Sequence, residues 1–416
     1  MSDHYDARET RDPEERLRDQ LAQLSRQLAH AKANAPAFRR LLAGVEPADI
    51  VSLATLARLP VTRKSELVEL QPKDRPFGGF AAAGWGAHKP LVKRVFASPG
   101  PIYEPEGARA DYWRLARPLF AAGFRPGDLI HNCFAYHFTP AGSMLETGAH
   151  ALGCAVFPAG IGQTEQQVQA IADLQPDGYV GTPSFLKIIL EKADALGVAL
   201  PSLTKALVSA EAFPPSLRDA FIARGIAGFQ AYASADLGTI AYETIAREGL
   251  VVDEEIIVEI VRPGTGDPVN AGEVGEVVVT TLANTDYPLI RFGTGDLSAL
   301  LPGVSPCGRT NMRIKGWMGR ADQTAKVKGM FVHPSQVAAI LKRHSELGKA
   351  RLVIDNPDGN DRLLLHVEVS DERSSQTLAI VESIREITKL RGEVVFRAPN
   401  ELPNDGKVID DVRKYE

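Results

Sequence analysis

Five short apolar runs, DLIHNCF, CAVFPAG, DGYVGTP, KALVSAE and IAGFQAY, follow one another between residues 128 and 232. Amphipathic stretches separate them in turn: PAGSMLETGAHAL, TEQQVQAIADL, SFLKIILEKADAL and PPSLRDAFIAR. Strand-like runs joined by helical stretches of roughly 10–15 residues imply a parallel sheet covered on both faces, an α/β fold. Ligands on such a sheet sit beyond the carboxyl ends of the strands. The strand-end stretches FAYHFTP, PAGIG, GTPS, SAEAF and YASADLG are therefore where a site is expected.

The flanking regions have a different character. Residues 14–40 carry Leu17, Leu21, Leu24 and Leu28 at helical spacing and predict one helix. VSLATLARLPVTRKSEL predicts short helices and a connector. The stretch VFASPGPIYEPEG (95–107) predicts a Gly- and Pro-rich loop before a helix over 108–122. From 250 to 300, VVDEEIIVEIV, GEVGEVVVTTL and YPLIRFGTGDL alternate with the turn signals PGTGDP and NAGE, predicting a β subdomain over about 245–318. Beyond Gly319 come a helix (VHPSQVAAILKRH), two strands joined by PDGND, a helix, a strand (EVVFRA) and a loose polar tail, ELPNDGKVIDDVRKYE. The expected organisation is a large α/β domain over 1–320 and a small α+β domain over 321–416.

Composition narrows the function. A formal net charge of −5 argues against a nucleic-acid binder, which would show a basic face, while a local basic pocket for a small anion remains open. Cys133, Cys154 and Cys307 have neither metal spacing nor the pattern of a disulfide framework, which fits a reducing compartment. The charged start MSDHYDARETRDPEERLRDQ lacks an apolar core and does not resemble a signal peptide. No apolar run approaches the roughly 18 residues of a membrane span. A cytoplasmic protein with no membrane partner is expected.

Several stretches, in one order, carry a family resemblance. YPLIRFGTGDLS, GRADQTAKVKGMFVHPSQV and ELPNDGKVIDDVRKYE resemble the late motifs of adenylate-forming enzymes, with the phenylacetate–coenzyme A ligase branch closest. HNCFAYHFTPAG, GTPSFLKI and SAEAFPPSLRDAF resemble the middle of that branch. The resemblance implies a large N-terminal part with a β subdomain and a small mobile C-terminal lid on a hinge. It also implies a reaction: ATP activates a carboxylic acid as an acyl-adenylate, the lid swings, and the coenzyme A thiol takes the acyl group. ATP, Mg²⁺ and coenzyme A are the implied cofactors, and a small-molecule acid and a nucleotide the implied partners. A homodimer is compatible with the resemblance and is not fixed by it.

The roles carry over position by position. Asp296 in GTGDL resembles the aspartate that binds the ribose hydroxyls, a diol a carboxylate can accept from twice. Lys407 in NDGKV resembles the lid lysine that reaches the reacting carboxylate and α-phosphate, where a cation offsets developing charge. Asp322 resembles the hinge residue, with Arg320 just before it. Ala210 and Glu211 in SAEA resemble the turn along the adenine, and Tyr232, followed by Ala233, the aromatic at its face. Asp236 stands where the family carries a glutamate that holds Mg²⁺, and a carboxylate of either length is a hard oxygen ligand. Tyr136, His137 and Phe138 fall where the family lines its acyl pocket, and their mix of polar and aromatic character fits an aryl acid. The plain alternatives are a turn aspartate at 296, a linker aspartate at 322, a solvated lysine at 407, a core tyrosine at 232 and a half-buried histidine at 137.

Three departures stand out. Against the family loop A-S-S-G-T-T-G-K-P, this chain has A-S-P-G-P-I-Y-E-P over 97–105. Ser98 is kept, but prolines remove N–H donors and Glu104 replaces the lysine. A unit charge about 5 Å from a phosphate charge is worth roughly 3 kcal/mol at an effective dielectric of about 20, so the reversal matters. The expectation is a rigid lid tipped by Tyr103, with the AMP half of the site kept and the pyrophosphate half rebuilt. Gly293 replaces a common family arginine, and Ala235 a threonine. Some members carry a zinc site whose last cysteine resembles Cys307, but Ser305 replaces a second one, so no structural zinc is expected. Besides the ligase, two readings stay open: an adenylate-forming enzyme with another donor or acceptor, and a non-catalytic AMP or acyl-coenzyme A binding protein.

Overall fold

The computed structural model describes residues 4–85, 91–262, 265–318, 320–321, 325–328, 330–332, 334–369, 377–403 and 407–414. The chain divides into two compact units, Met1–Gly319 and Arg320–Glu416.

The apolar runs of the first unit form the parallel half of a nine-stranded sheet. Ala227–Ser234, Lys205–Val208, Gly178–Gly181, Leu129–Asn132 and Ala155–Phe157 lie side by side in that order. Helices Ala141–Leu152, Thr164–Leu174, Pro183–Leu196 and Pro215–Ile222 connect them. Tyr179 and Val180 are almost wholly buried, as expected for a strand covered on both faces. Beyond Ala227–Ser234 the sheet turns antiparallel through Gly238–Tyr242 and Leu250–Val252. The strands read as a β subdomain are shared: Leu250–Val252, Leu300–Leu301 and Arg313–Ile314 extend the large sheet. Ile256–Val261, Gly275–Thr281 and Phe292–Ser298 form a four-stranded sheet with Thr62–Arg63.

Two predicted helices are shorter than expected. Pro36 disfavours helical backbone at the residue before it, so the N-terminal helix ends as Pro13–Asn34 and a second, Pro36–Leu41, follows. Asp12 caps the first helix through the Glu14 and Glu15 N–H groups. The predicted helix over 108–122 is confined to Ala116–Ala121. Asp111 and Arg114 ahead of it have positive φ. Asp111 accepts from the Leu115 and Ala116 N–H groups, while buried Arg114 bonds Asp253 and the Leu237 and Thr239 carbonyls.

The larger correction concerns the predicted loop. Arg94–Ser98 and Ile102–Glu106 pair as an antiparallel hairpin whose tip is 99–101. Tyr103 is not that tip: it sits in the second strand opposite Ala97. The side chain of Gln71 fixes the hairpin, donating to the Tyr103 carbonyl and accepting from its N–H, each at 2.8 Å.

In the second unit, Glu393–Arg397, Arg362–Glu368, Ala350–Asp355 and Ile409–Asp411 form a four-stranded sheet with helices Pro334–Arg343 and Thr377–Thr388. The tail read as loose thus supplies an edge strand: Ile409–Asp411 pairs in parallel with Ala350–Asp355, and Arg413 bonds Asp361 at 3.0 Å. Among the described residues no helix is long and apolar enough to cross a membrane.

Candidate active site

Two clusters in the first unit gather most of the residues that the sequence singled out. In the first, the Tyr232 hydroxyl donates to Asp296 Oδ2 at 2.8 Å and lies 3.3 Å from Thr294 Oγ1. Trp317 Nε1 donates to Asp296 Oδ1 at 3.1 Å. The pairing between Ala227–Ser234 and Gly238–Tyr242 shifts register between Tyr232 and Ala233, an irregularity of the kind that re-aims side chains at a strand end. Ala210, at the end of Lys205–Val208, has φ 69°, and the neighbouring Glu211 accepts from the Ser184 hydroxyl at 2.5 Å.

The second cluster lies under the hairpin. Glu104 is fully buried and accepts from both the Ser98 hydroxyl and the Ser98 N–H, the latter at 3.2 Å. The one retained serine of the loop is thereby committed within the protein. Asp236 is also fully buried. Its Oδ2 is ion-paired with Lys64 Nζ, and its Oδ1 is buried with no hydrogen-bond partner among the described residues. Burial first, and then the charge of Asp236, push the Glu104 carboxyl up to about 8, against the pull of Lys64 and Ser98. Glu104 and Asp236 also raise the buried Tyr287 hydroxyl, after burial itself. The result is a pair of buried carboxyl groups, one of them ion-paired with Lys64.

That cation was missed in the sequence. Lys64 begins a short turn, Lys64–Glu66, directly after Thr62–Arg63, which pairs in parallel with Phe292–Ser298. The pairing carries Lys64 to Asp236 across 172 residues of chain. The local signal was the extended Pro-Val-Thr ahead of a basic pair, but nothing local names its partner. The same strand explains Gly293. A Cβ there would come within 2.7 Å of Glu276 Oε1 and 3.1 Å of Arg63 Cγ, so Arg63, bonded to Glu276 at 3.2 Å, fills the space a side chain would need.

The acyl-pocket candidates separate. Tyr136 accepts from Asn132 Nδ2 and donates to Glu146 Oε2, both at 2.8 Å, and lines a small cavity with Arg94, Phe96, Ser143 and Glu146. His137 is exposed and Phe138 is 80% exposed, and neither lines that cavity. The Phe138 carbonyl instead accepts from the Ala97 N–H of the hairpin at 2.8 Å.

In the second unit, Lys407 is half exposed and its Nζ lies 2.9 Å from Asp410 Oδ1. Arg320 is the first residue of that unit. Asp322 lies outside the described residues. Around Cys307, the Ser305 hydroxyl is 3.1 Å and Arg309 Nη1 3.4 Å from the sulfur. Burial alone would raise this thiol, but hydrogen bonds from Ser305, Thr244 and Arg309 outweigh it and lower the pKa to about 7.

With this geometry in hand, comparison with known proteins is direct. The family model for AMP-binding enzymes matches residues 110–285. A phenylacetate-coenzyme A ligase of Aromatoleum evansii is 34% identical over 370 residues, covering 85% of this chain and 81% of its own. One of Thermus thermophilus is 33% identical over 377 residues, covering 86% and 83%. Among solved structures, a 2-hydroxyisobutyryl-CoA ligase in complex with 2-HIB-AMP and CoA superposes with a TM-score of 0.82 at 27% identity, covering 100% of this chain and 93% of that one. The chain belongs to the phenylacetate–coenzyme A ligase family of AMP-binding, acid–thiol ligases.

Proposed function

We propose that this enzyme adenylates an aromatic or arylacetic acid with ATP and passes the acyl group to coenzyme A, using Lys64 in place of the loop lysine at the phosphates. The observation that carries the assignment of Lys64 is its ion pair with buried Asp236, beside a hairpin whose only kept hydroxyl is taken by Glu104. The 97–105 stretch of this hairpin has no lysine or arginine to offer a pyrophosphate leaving group. Lys64 offers a cation, and a positive charge beside the phosphates stabilises the negative charge that grows on the leaving group.

In this reading Asp296 receives the ribose hydroxyls, and Tyr232 holds that carboxylate in place through its 2.8 Å hydrogen bond while its ring lies along the adenine. Ala210, Glu211 and Ala233 form the rim of the same nucleotide site. Lys407 meets the reacting carboxylate and α-phosphate when the lid, hinged at Arg320 and Asp322, is closed. Asp236 Oδ1, buried and unpartnered among the described residues, is an oxygen suited to Mg²⁺. No group of three or more His, Cys, Asp and Glu among the described residues is arranged to hold a metal, and Mg²⁺ usually takes only one or two carboxylates beside substrate phosphates. When bound, the ion would neutralise phosphate charge. ATP and coenzyme A are cytoplasmic substrates, which supports that location.

The test is acid-dependent pyrophosphate release and thioester formation with ATP, Mg²⁺, coenzyme A and a panel of aryl and arylacetic acids. Release with at least one acid, lost in Lys407→Ala, is expected. A wild-type protein that binds AMP but releases no pyrophosphate with any acid would refute the reading.

A further inference from the structure

The cavity beneath the hairpin measures about 110 Å³ and is lined by Arg94, Phe96, Tyr136, Ser143 and Glu146. Four of these five side chains are polar, an unusual lining for a site that takes a plain aromatic ring, since small-molecule pockets are mostly apolar with a few placed polar groups. The polar groups can be sorted by whether they are already engaged. Ser143 Oγ donates to Glu106 Oε2 at 2.8 Å and accepts from Arg94 Nη1 at 2.9 Å. Arg94 Nη1 also bonds Glu106 Oε1 at 2.6 Å, and Trp113 Nε1 donates to Glu106 at 3.0 Å, so Glu106 is satisfied inside the protein. The Tyr136 hydroxyl is used twice, by Asn132 and by Glu146 Oε2.

What remains is one carboxylate oxygen and the outer part of one guanidinium. Glu146 Oε1 and Arg94 Nη2 have no hydrogen-bond partner among the described residues. A hydroxyl both donates and accepts, and so matches both at once. A second carboxylate on the substrate would be repelled by Glu146, an ammonium would leave Arg94 unmatched, and an unsubstituted ring would desolvate Glu146 with nothing in return. Phe96 supplies an apolar wall for the ring that carries the hydroxyl. The volume is several times the roughly 30 Å³ share of one liquid water molecule, room for more than a trapped solvent.

We propose that the acid activated here carries a hydroxyl on its ring, received between Glu146 and Arg94, and that Glu146 is the residue that selects for it. The proposal rests on the ligase reading above and deepens it. A site built to hydrogen-bond a substrate hydroxyl discriminates strongly against the analogue that lacks it, because its own polar groups are then left unpaired.

The experiment compares kcat/KM for thioester formation with matched pairs: phenylacetate against its 3- and 4-hydroxy derivatives, and benzoate against its own. In the wild type a hydroxylated member is expected to exceed its parent by about tenfold or more, chiefly through a lower KM. Glu146→Leu is expected to bring that ratio to about one or below, raising KM for the hydroxylated acid and not for the parent. Glu146→Gln, which keeps an acceptor of the same shape, retains part of the preference. Parents used as well as or better than every hydroxylated partner overturn the proposal and leave the ligase reading standing. An equal loss for both members in Glu146→Leu also overturns it, since a merely structural residue would behave that way. If Glu146→Leu does not fold, the wild-type ratio and Glu146→Gln decide. No turnover of any acid removes the ligase reading, and the proposal with it.

Discussion

Glu104 replaces a cation of the family loop with a carboxyl, and its burial sets its behaviour. In the folded chain it keeps its proton to about pH 8, whereas an unfolded glutamate loses it near 4.5. Between these values the folded state binds the extra proton, so stability falls as pH rises from about 4.5 to about 8 and levels off above. The groups that face it are Asp236, which strengthens the effect, and Lys64 and Ser98, which oppose it. Glu104→Gln has no such proton and should flatten this slope, which thermal melts from pH 5 to 9 will read. Lys64→Met is expected to act on two quantities. It leaves Asp236 buried without its cation, at a cost of up to about 3 kcal/mol in stability. It also lowers kcat/KM for ATP by about a hundredfold while AMP still binds, the scale of losing one electrostatic contact in a transition state. Calorimetry with AMP separates the two.

At the scale of elements, the hairpin 94–106 depends on a neighbour. Gln71 imitates a strand by offering its amide oxygen and nitrogen to the Tyr103 backbone. Gln71→Ala should cost about 1–3 kcal/mol, because it leaves a donor and an acceptor unmatched, and hydrogen exchange should quicken in 94–106 ahead of the sheet. The parallel strands could be recognised from sequence because each is a short apolar run closed by a helix, a local pattern with one compact solution. The hairpin was not, because Pro99, Gly100, Pro101 and Pro105 suggest a loop and only pairing partners reveal strands. The helix over 108–122 fails for a similar reason. Its periodicity is sound, but Arg114 has a tertiary obligation to Asp253 that the periodicity does not contain. In the same way motifs single out Asp296 and Tyr232 as candidates, whereas nothing local singles out Lys64, whose ion pair with Asp236 spans 172 positions.

On the scale of the whole molecule, the proposed reading keeps one half of a reaction site in family form and rebuilds the other. The nucleoside half keeps an aspartate, a tyrosine and a strand-end turn. The proposed phosphate half exchanges a loop cation for Lys64, from a distant turn. Lys407, half exposed and ion-paired with Asp410 three residues on, is expected to be replaceable without loss of fold. Lys407→Ala should therefore stay within about 0.5 kcal/mol of wild-type stability and lose adenylation, a separation read by parallel melts and pyrophosphate assays. Acid-dependent pyrophosphate release by wild type, Lys64→Met and Lys64→Arg is the most direct test of the account. It predicts release by the wild type, a loss of about a hundredfold in Lys64→Met, and partial recovery in Lys64→Arg, which restores the charge with a different shape. Release by Lys64→Met at the wild-type rate would contradict it, and would mean that the phosphates are held without Lys64.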